Sequence, residues 1–138
     1  MIGGADWHAE KVTVIEDKHV RSLGYINEKH LPPIFRLATV FAFPSLYEGF
    51  GLTVLEAMAS ETPVVASNTT SIPEAAGEAA ILINPESVAD MTGALEKLLS
   101  DPNARDLAVT AGKEQVKRFS WTKSTALLHE ILTRQGNR

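Results

Sequence analysis

Two spacings of apolar residues alternate along most of the chain. Short, nearly continuous apolar runs are followed by stretches in which apolar residues recur every three or four positions. The first pattern reads as buried strands and the second as helices with one apolar face. Residues 39–43 form the clearest run, apolar enough for a strand covered on both faces, and Pro44 stops it. Residues 63–67 and 79–83 read as two more strands, and residues 20–23 as a short one ending at Gly24. Between them, residues 28–37 read as a helix provided that Pro32 and Pro33 sit in its first turn, where a missing N–H is tolerated. Residues 52–60 read as a helix with Leu52, Leu55 and Met58 on one face, and Ile72–Ala76 as a helical turn closed by Gly77. The first stretch is ambiguous. Residues 6–16 place Trp7, Val12 and Ile15 at helical spacing, while residues 11–15 read equally as a strand.

The last third is helical throughout. Ser87 can cap a helix whose third position is Asp90, a variant of the capping box, with Val88, Met91, Leu95, Leu98 and Leu99 as its apolar face. Asp101 and Pro102 suit the cap and first position of the next helix, to about Arg118. Ser120 can open a final helix to about Arg134, with Trp121 expected to anchor it by burial. Strands alternating with helices over short connections predict an α/β domain: a mostly parallel sheet flanked by helices, Rossmann-like. In such sheets ligands bind beyond the carboxyl ends of the strands, here the loops after Gly24, Phe43 and Ser67.

Composition narrows the classes. The chain has 138 residues, enough for one domain with a hydrophobic core. Its net charge of −4 argues against a general nucleic-acid binder. It does not exclude a nucleotide, since backbone amides alone can hold a phosphate. With no cysteine there is neither a disulfide nor a thiolate metal site, which is compatible with a reducing cytoplasm. The longest apolar run is far too short to cross a bilayer, and no basic segment followed by an apolar one opens the chain. Met1, Ile2, Gly3 and Gly4 look like the last step of a strand, so the natural protein is expected to extend upstream. His8, His19, His30 and His129 lack metal-ligand spacing, no D-x-D pair occurs, and Lys113, Lys117 and Arg118 read as a solvated helix face.

Chemistry concentrates after the 39–43 run. The loop from Ser45 leads through Tyr47, Glu48, Gly49, Phe50 and Gly51 into the helix that begins at Leu52 and Thr53. Gly49 and Gly51 permit unusual φ and a close backbone approach to a ligand. Free N–H groups near Gly51, Leu52 and Thr53, with the helix dipole behind them, would make a site for an anion such as a diphosphate. Glu48 precedes that site and Glu56 follows it by about one turn, its side chain tilting back toward the helix start. A carboxylate accepts two hydroxyl donors at once, so this pair suits the alcohols of a sugar and a ribose. The ring of Phe50 is expected to be structural, and Tyr47 to pack within the loop.

The stretch from Glu48 to Glu56 (EGFGLTVLE) resembles the donor-site signature of the retaining, two-domain glycosyltransferases of family 4, also called group 1. Leu23-Gly24-Tyr25, Ala57-Met58-Ala59, Pro63-Val64-Val65, Pro73-Glu74 and Phe119-Ser120-Trp121 fall in that family's order, so the likeness covers nearly the whole chain. It implies the carboxyl-terminal, donor-binding half of a GT-B enzyme. Its site would use Glu48 beside the sugar hydroxyls as the catalytic position. Gly49, the backbone of Phe50, Gly51 and Leu52, and Thr53 would hold sugar and diphosphate; Glu56 would bind the ribose, with Tyr25 and Ile26 bordering the base. The implied partners are a nucleoside-diphosphate-sugar and a saccharide or lipid acceptor, with no metal, no cofactor and no nucleic acid. The family's upstream G-R-x-x-x-x-K loop and its amino-terminal domain are absent from these residues, so the chain alone is expected to bind donor weakly and not turn over. Glu61 departs from the pattern, standing where the family usually has glycine. The rival readings are a non-catalytic nucleotide-sugar-binding module and an α/β interaction domain with no nucleotide site.

Overall fold

The computed structural model describes residues 18–135, so the ambiguous segment 6–16, the opening residues 1–4 and His8 lie outside them. A 3₁₀ turn, Glu28–His30, leads into α1 (Leu31–Leu37). Then come β1 (Phe41–Phe43), α2 (Leu52–Ala59), β2 (Val64–Ser67), α3 (Ile72–Ala76) and β3 (Ala80–Ile83). Three helices close the chain: α4 (Val88–Ser100), α5 (Pro102–Val116) and α6 (Trp121–Gln135). The strands form one parallel sheet in the order β1-β2-β3, as the alternating pattern predicts. Phe41 pairs with Val64 and Phe43 with Ala66, while Val64 pairs with Ala80 and Ser67 with Ile83.

β2 explains the two-layer core. All four of its residues are buried. Side chains alternate between the faces of a strand, so β2 feeds two separate clusters. Val64 and Ala66 pack with Phe35, Val54, Met58 and Ile72 beneath α1, α2 and α3. Val65 packs with Ile83, Ala94 and Leu98 beneath α4. α2 and α5 meet closely because Gly112 has no side chain; a Cβ there would fall 3.2 Å from Met58 Cγ. The predicted caps form. Ser87 Oγ accepts from the Asp90 amide and donates to its carboxylate, and Asp101 accepts from the amides of Asn103 and Ala104.

Several expectations change. Residues 20–23 form no strand; the chain instead passes Gly24 at φ 63. The helix expected over 28–37 splits at Leu31, because Pro32 and Pro33 cannot supply amides to carbonyls of a preceding turn. β1 is three residues long and only half-covered, since among the described residues it pairs with β2 alone. Phe41 and Phe43 stack at 5.7 Å on the side that meets the core. Val88 and Leu99 are exposed, so the packed face of α4 is narrower than the sequence suggests. Trp121 is not buried. It is 77% exposed, and the described side chains of α6 are all exposed, because no other described element covers that helix.

Glu61 ends α2 in an unusual way. The Thr62 amide donates to Ala57 O and the Glu61 amide to Met58 O, the paired bonds of a Schellman cap. Such a cap needs a left-handed residue, normally glycine, and Glu61 takes φ 62 there. Its carboxylate meets Arg36 of α1 at 3.2 Å and Lys113 of α5 at 3.5 Å. The hydrogen-bonded Arg36 guanidinium, helped by Lys113, holds the Glu61 carboxyl below the ordinary carboxylate range. Because the folded-state pKa lies below the unfolded one, the contribution of the ion pairs is whole above the ordinary carboxylate range and is lost as pH falls through the lowered value. Glu61→Ala removes the ion pairs but keeps a Cβ in left-handed backbone, whereas Glu61→Gly removes both ion pairs and strain. Thermal melting at neutral pH should therefore place the Gly variant above the Ala variant; equal midpoints would show that the turn is unstrained.

Candidate active site

The loop after β1 and the loop after β2 lie side by side at the carboxyl end of the sheet, joined by hydroxyls. Ser67 Oγ donates to Ser45 O at 2.6 Å, and Thr69 Oγ1 lies within reach of Ser45 O and Leu46 O. The Glu48 amide donates to Thr70 Oγ1 at 3.1 Å, and Ser71 Oγ donates to Glu48 O at 2.9 Å. Glu48 is thereby fixed by its own peptide groups, and its side chain stands half-buried at the loop end. Tyr47 does not pack within the loop as expected. It is 79% exposed, because the loop is held through main-chain groups and short hydroxyl side chains.

From Glu48 the chain turns into α2. Gly51 is the N-cap, buried, at φ 94 and ψ 36. Gly49 does not share that conformation, so only the second of the two glycines supplies the left-handed step. No side chain caps this helix. The amide of Val54 donates to Gly51 O, but among the described residues no group accepts from the amides of Phe50, Gly51, Leu52 or Thr53. These donors sit at the positive end of the helix dipole, an arrangement that attracts an anion.

α2 presents Leu52 and Glu56 outward, both exposed, with Thr53 half-buried. Leu52 and Glu56, but not Thr53, join Phe50 and Leu55 in one wall of a cavity of about 530 Å³, and Phe119 and Trp121 at the α5–α6 junction line the other. The Phe50 ring meets Phe119 edge-on at 5.7 Å and is 43% exposed, so it packs on one side while Phe50 lines the cavity. Tyr25 is 80% exposed and Ile26 half-buried, and no hydrogen bond or ring contact joins either to the loop around Glu48. The described residues contain no group of three or more His, Asp or Glu placed to hold a metal ion.

Sequence reasoning missed three contributors. Gln115, buried in α5, donates to Ala75 O at 2.9 Å and so pins the end of α3. The run Ser67–Ser71 (SNTTS) supplies four hydroxyls to the Glu48 loop, a density of short hydroxyl side chains that the sequence displays but that turn statistics absorb. Phe119 was legible only as part of a motif, not as the partner of Phe50.

Comparison with known proteins agrees with this architecture. The family profile described as glycosyl transferases group 1 matches residues 1–101. The chain belongs to that family. The O-antigen chain mannosyltransferase B of Escherichia coli is 42% identical over 106 residues, covering 77% of this chain and 28% of that protein. The MMP alpha-(1->4)-mannosyltransferase of Mycolicibacterium hassiacum is 39% identical, covering 73% of this chain and 26% of that one. Among solved structures, the sucrose-phosphate synthase of Thermosynechococcus elongatus superposes with a TM-score of 0.71 at 33% identity, over 82% of this chain and 29% of that chain. The chain thus spans less than a third of these relatives. The parallel sheet flanked by helices is that of the GT-B glycosyltransferases.

Gly51→Ala would force an alanine into φ 94, at a cost of about 1–2 kcal/mol. The new methyl would meet Ala75 Cβ at an ordinary 3.4 Å, so conformation and not crowding sets that cost. Gly49→Ala, in open space and without positive φ, should be close to neutral. Melting curves that lower only the Gly51 variant by several degrees would match this account; equal losses at the two sites would contradict it.

Proposed function

We propose that this chain is the donor-binding part of a retaining hexosyltransferase of the family 4 type. It would move a sugar from a nucleoside-diphosphate-sugar to a saccharide or lipid acceptor without a metal. The observation that carries the reading is the set of amides without protein acceptors from Phe50 to Thr53, bracketed in sequence by Glu48 and Glu56. A diphosphate needs fixed donors, and these are fixed before it arrives. As the bond between sugar and diphosphate breaks, negative charge collects on the phosphate oxygens, and preorganised amides stabilise it without reorienting. Positive charge develops on the sugar ring at the same moment. Glu48 fixes the ring's orientation through its hydroxyls and opposes that charge. Glu56 accepts the two ribose hydroxyls and contributes mainly binding. The basic groups that complete the phosphate site, and the acceptor site, belong to chain outside these 138 residues. The names of the mannosyltransferase relatives make a nucleoside-diphosphate-mannose the first donor to try.

The test uses the natural full-length protein. Calorimetry with UDP, GDP and ADP should find binding by at least one of them. Glu56→Ala should weaken it about ten- to a hundredfold, since a hydrogen bond to a charged group is worth roughly 1.5–3 kcal/mol. Glu48→Gln should lower kcat while leaving nucleotide affinity near that of the wild type. Failure of all three nucleotides to bind, or an unchanged affinity in Glu56→Ala, overturns the reading.

A further inference from the structure

Glu48 is held at both of its peptide groups by consecutive residues of another loop. Its N–H donates to Thr70 Oγ1 at 3.1 Å, and its C=O accepts from Ser71 Oγ at 2.9 Å. The Ser71 hydroxyl is not doing what its position would normally ask of it, and Thr70 holds unusual backbone. Ser71 is the N-cap of α3, where a serine ordinarily accepts from the second or third helical amide. The second position is Pro73, which has no N–H, and the Ser71 side chain makes no capping bond. Its hydroxyl is directed across to Glu48 instead. Thr70 stands at φ 52, a conformation that a β-branched residue rarely adopts. Backbone in that state persists only where its surroundings over-determine it, and such residues gather at functional sites. Here the over-determination comes from both sides: the Ile72 amide donates to Thr69 O, and Gln115 fixes the far end of α3 through Ala75 O.

We infer that Thr70 and Ser71 are positioning residues for sugar transfer, setting the direction of the Glu48 side chain and the course of the amides that follow it. The inference rests on the reading of Glu48 given above. A rotation of the Glu48 peptide would swing its carboxylate and displace the Phe50 and Gly51 amides together. Displacements of about 1 Å from the reacting geometry can cost on the order of a hundredfold in rate. The effect should fall mainly on kcat, because Glu48 and the displaced amides act on charge that develops as the bond breaks, while the ribose contact at Glu56 lies beyond the clamp.

The experiment compares Thr70→Val, Thr70→Ser, Ser71→Ala and Ser71→Thr in the full-length protein, with GDP-mannose, UDP-glucose and ADP-glucose offered as donors. Thr70→Val and Ser71→Ala should each lower kcat about tenfold or more, with donor KM within about threefold of wild type. Melting midpoints should stay close to wild type, and the two hydroxyl-keeping variants should recover most of the rate. Amide hydrogen exchange read on a peptide covering residues 45–51 should speed up in Ser71→Ala. Unchanged kcat in both hydroxyl-deleted variants overturns the inference, as does a loss that follows the melting midpoint and is not rescued by Thr70→Ser. Wild-type protein that transfers no sugar from any of the three donors overturns the functional reading, and the inference with it; faster exchange in Ser71→Ala would then report only a structural clamp.

Discussion

The left-handed step at Gly51 is the constraint on which the site depends. A chain leaving a parallel strand must reverse direction to lay a helix across the sheet, and here it has eight residues, 44–51, in which to do so. At φ 94 the Gly51 peptide aims the next amides outward instead of back into the loop, and the same residue seats the helix start against Ala75 and Ile72 of α3. A residue with a side chain could occupy the space but not the conformation without strain. Loop, helix dipole and open amides are therefore consequences of one backbone torsion.

That torsion is useful only because the scaffold around it does not yield. β2 is buried along its whole length and couples the two layers of the core. α3, only five residues long, would be a weak element alone. It gains rigidity from Gln115, whose amide reaches its final carbonyls from α5, and Gly77 has no side chain because a Cβ there would lie 2.8 Å from the Gln115 amide oxygen. A line of contacts thus runs from α5 through α3 to the hydroxyls that hold the Glu48 loop. The residues that touch a donor in the proposed reading stand at one end of that line.

Much of this was legible from the sequence because it depends on local order. The runs at 63–67 and 79–83 became β2 and β3 within a residue, and the caps at Ser87 and Asp101 formed as their side-chain chemistry requires. Sequence also placed the glycine-bearing loop before α2. It could not separate Gly49 from Gly51, because which of two nearby glycines turns left is decided by what α3 presses against. The hydroxyl seam from Ser67 to Ser71 was hidden for a related reason: such residues satisfy either their own backbone or a neighbour's, and only the crossing of two loops distinguishes the two. Trp121 misled because a large apolar residue is expected to find cover, and here it lines an open cavity and stays 77% exposed.

Glu61 carries a consequence for how this sequence can change. One carboxylate oxygen faces two cations borne by helices that are distant in sequence, from a backbone position suited to glycine. The three sites are consequently epistatic: the effect of altering Arg36 or Lys113 depends on what occupies position 61, and the contributions do not add. A change of Glu61 to glycine made first would leave two like charges, Arg36 and Lys113, without the carboxylate between them. The same substitution made after either cation is lost would meet no such repulsion, so its effect depends on the order in which the three positions change.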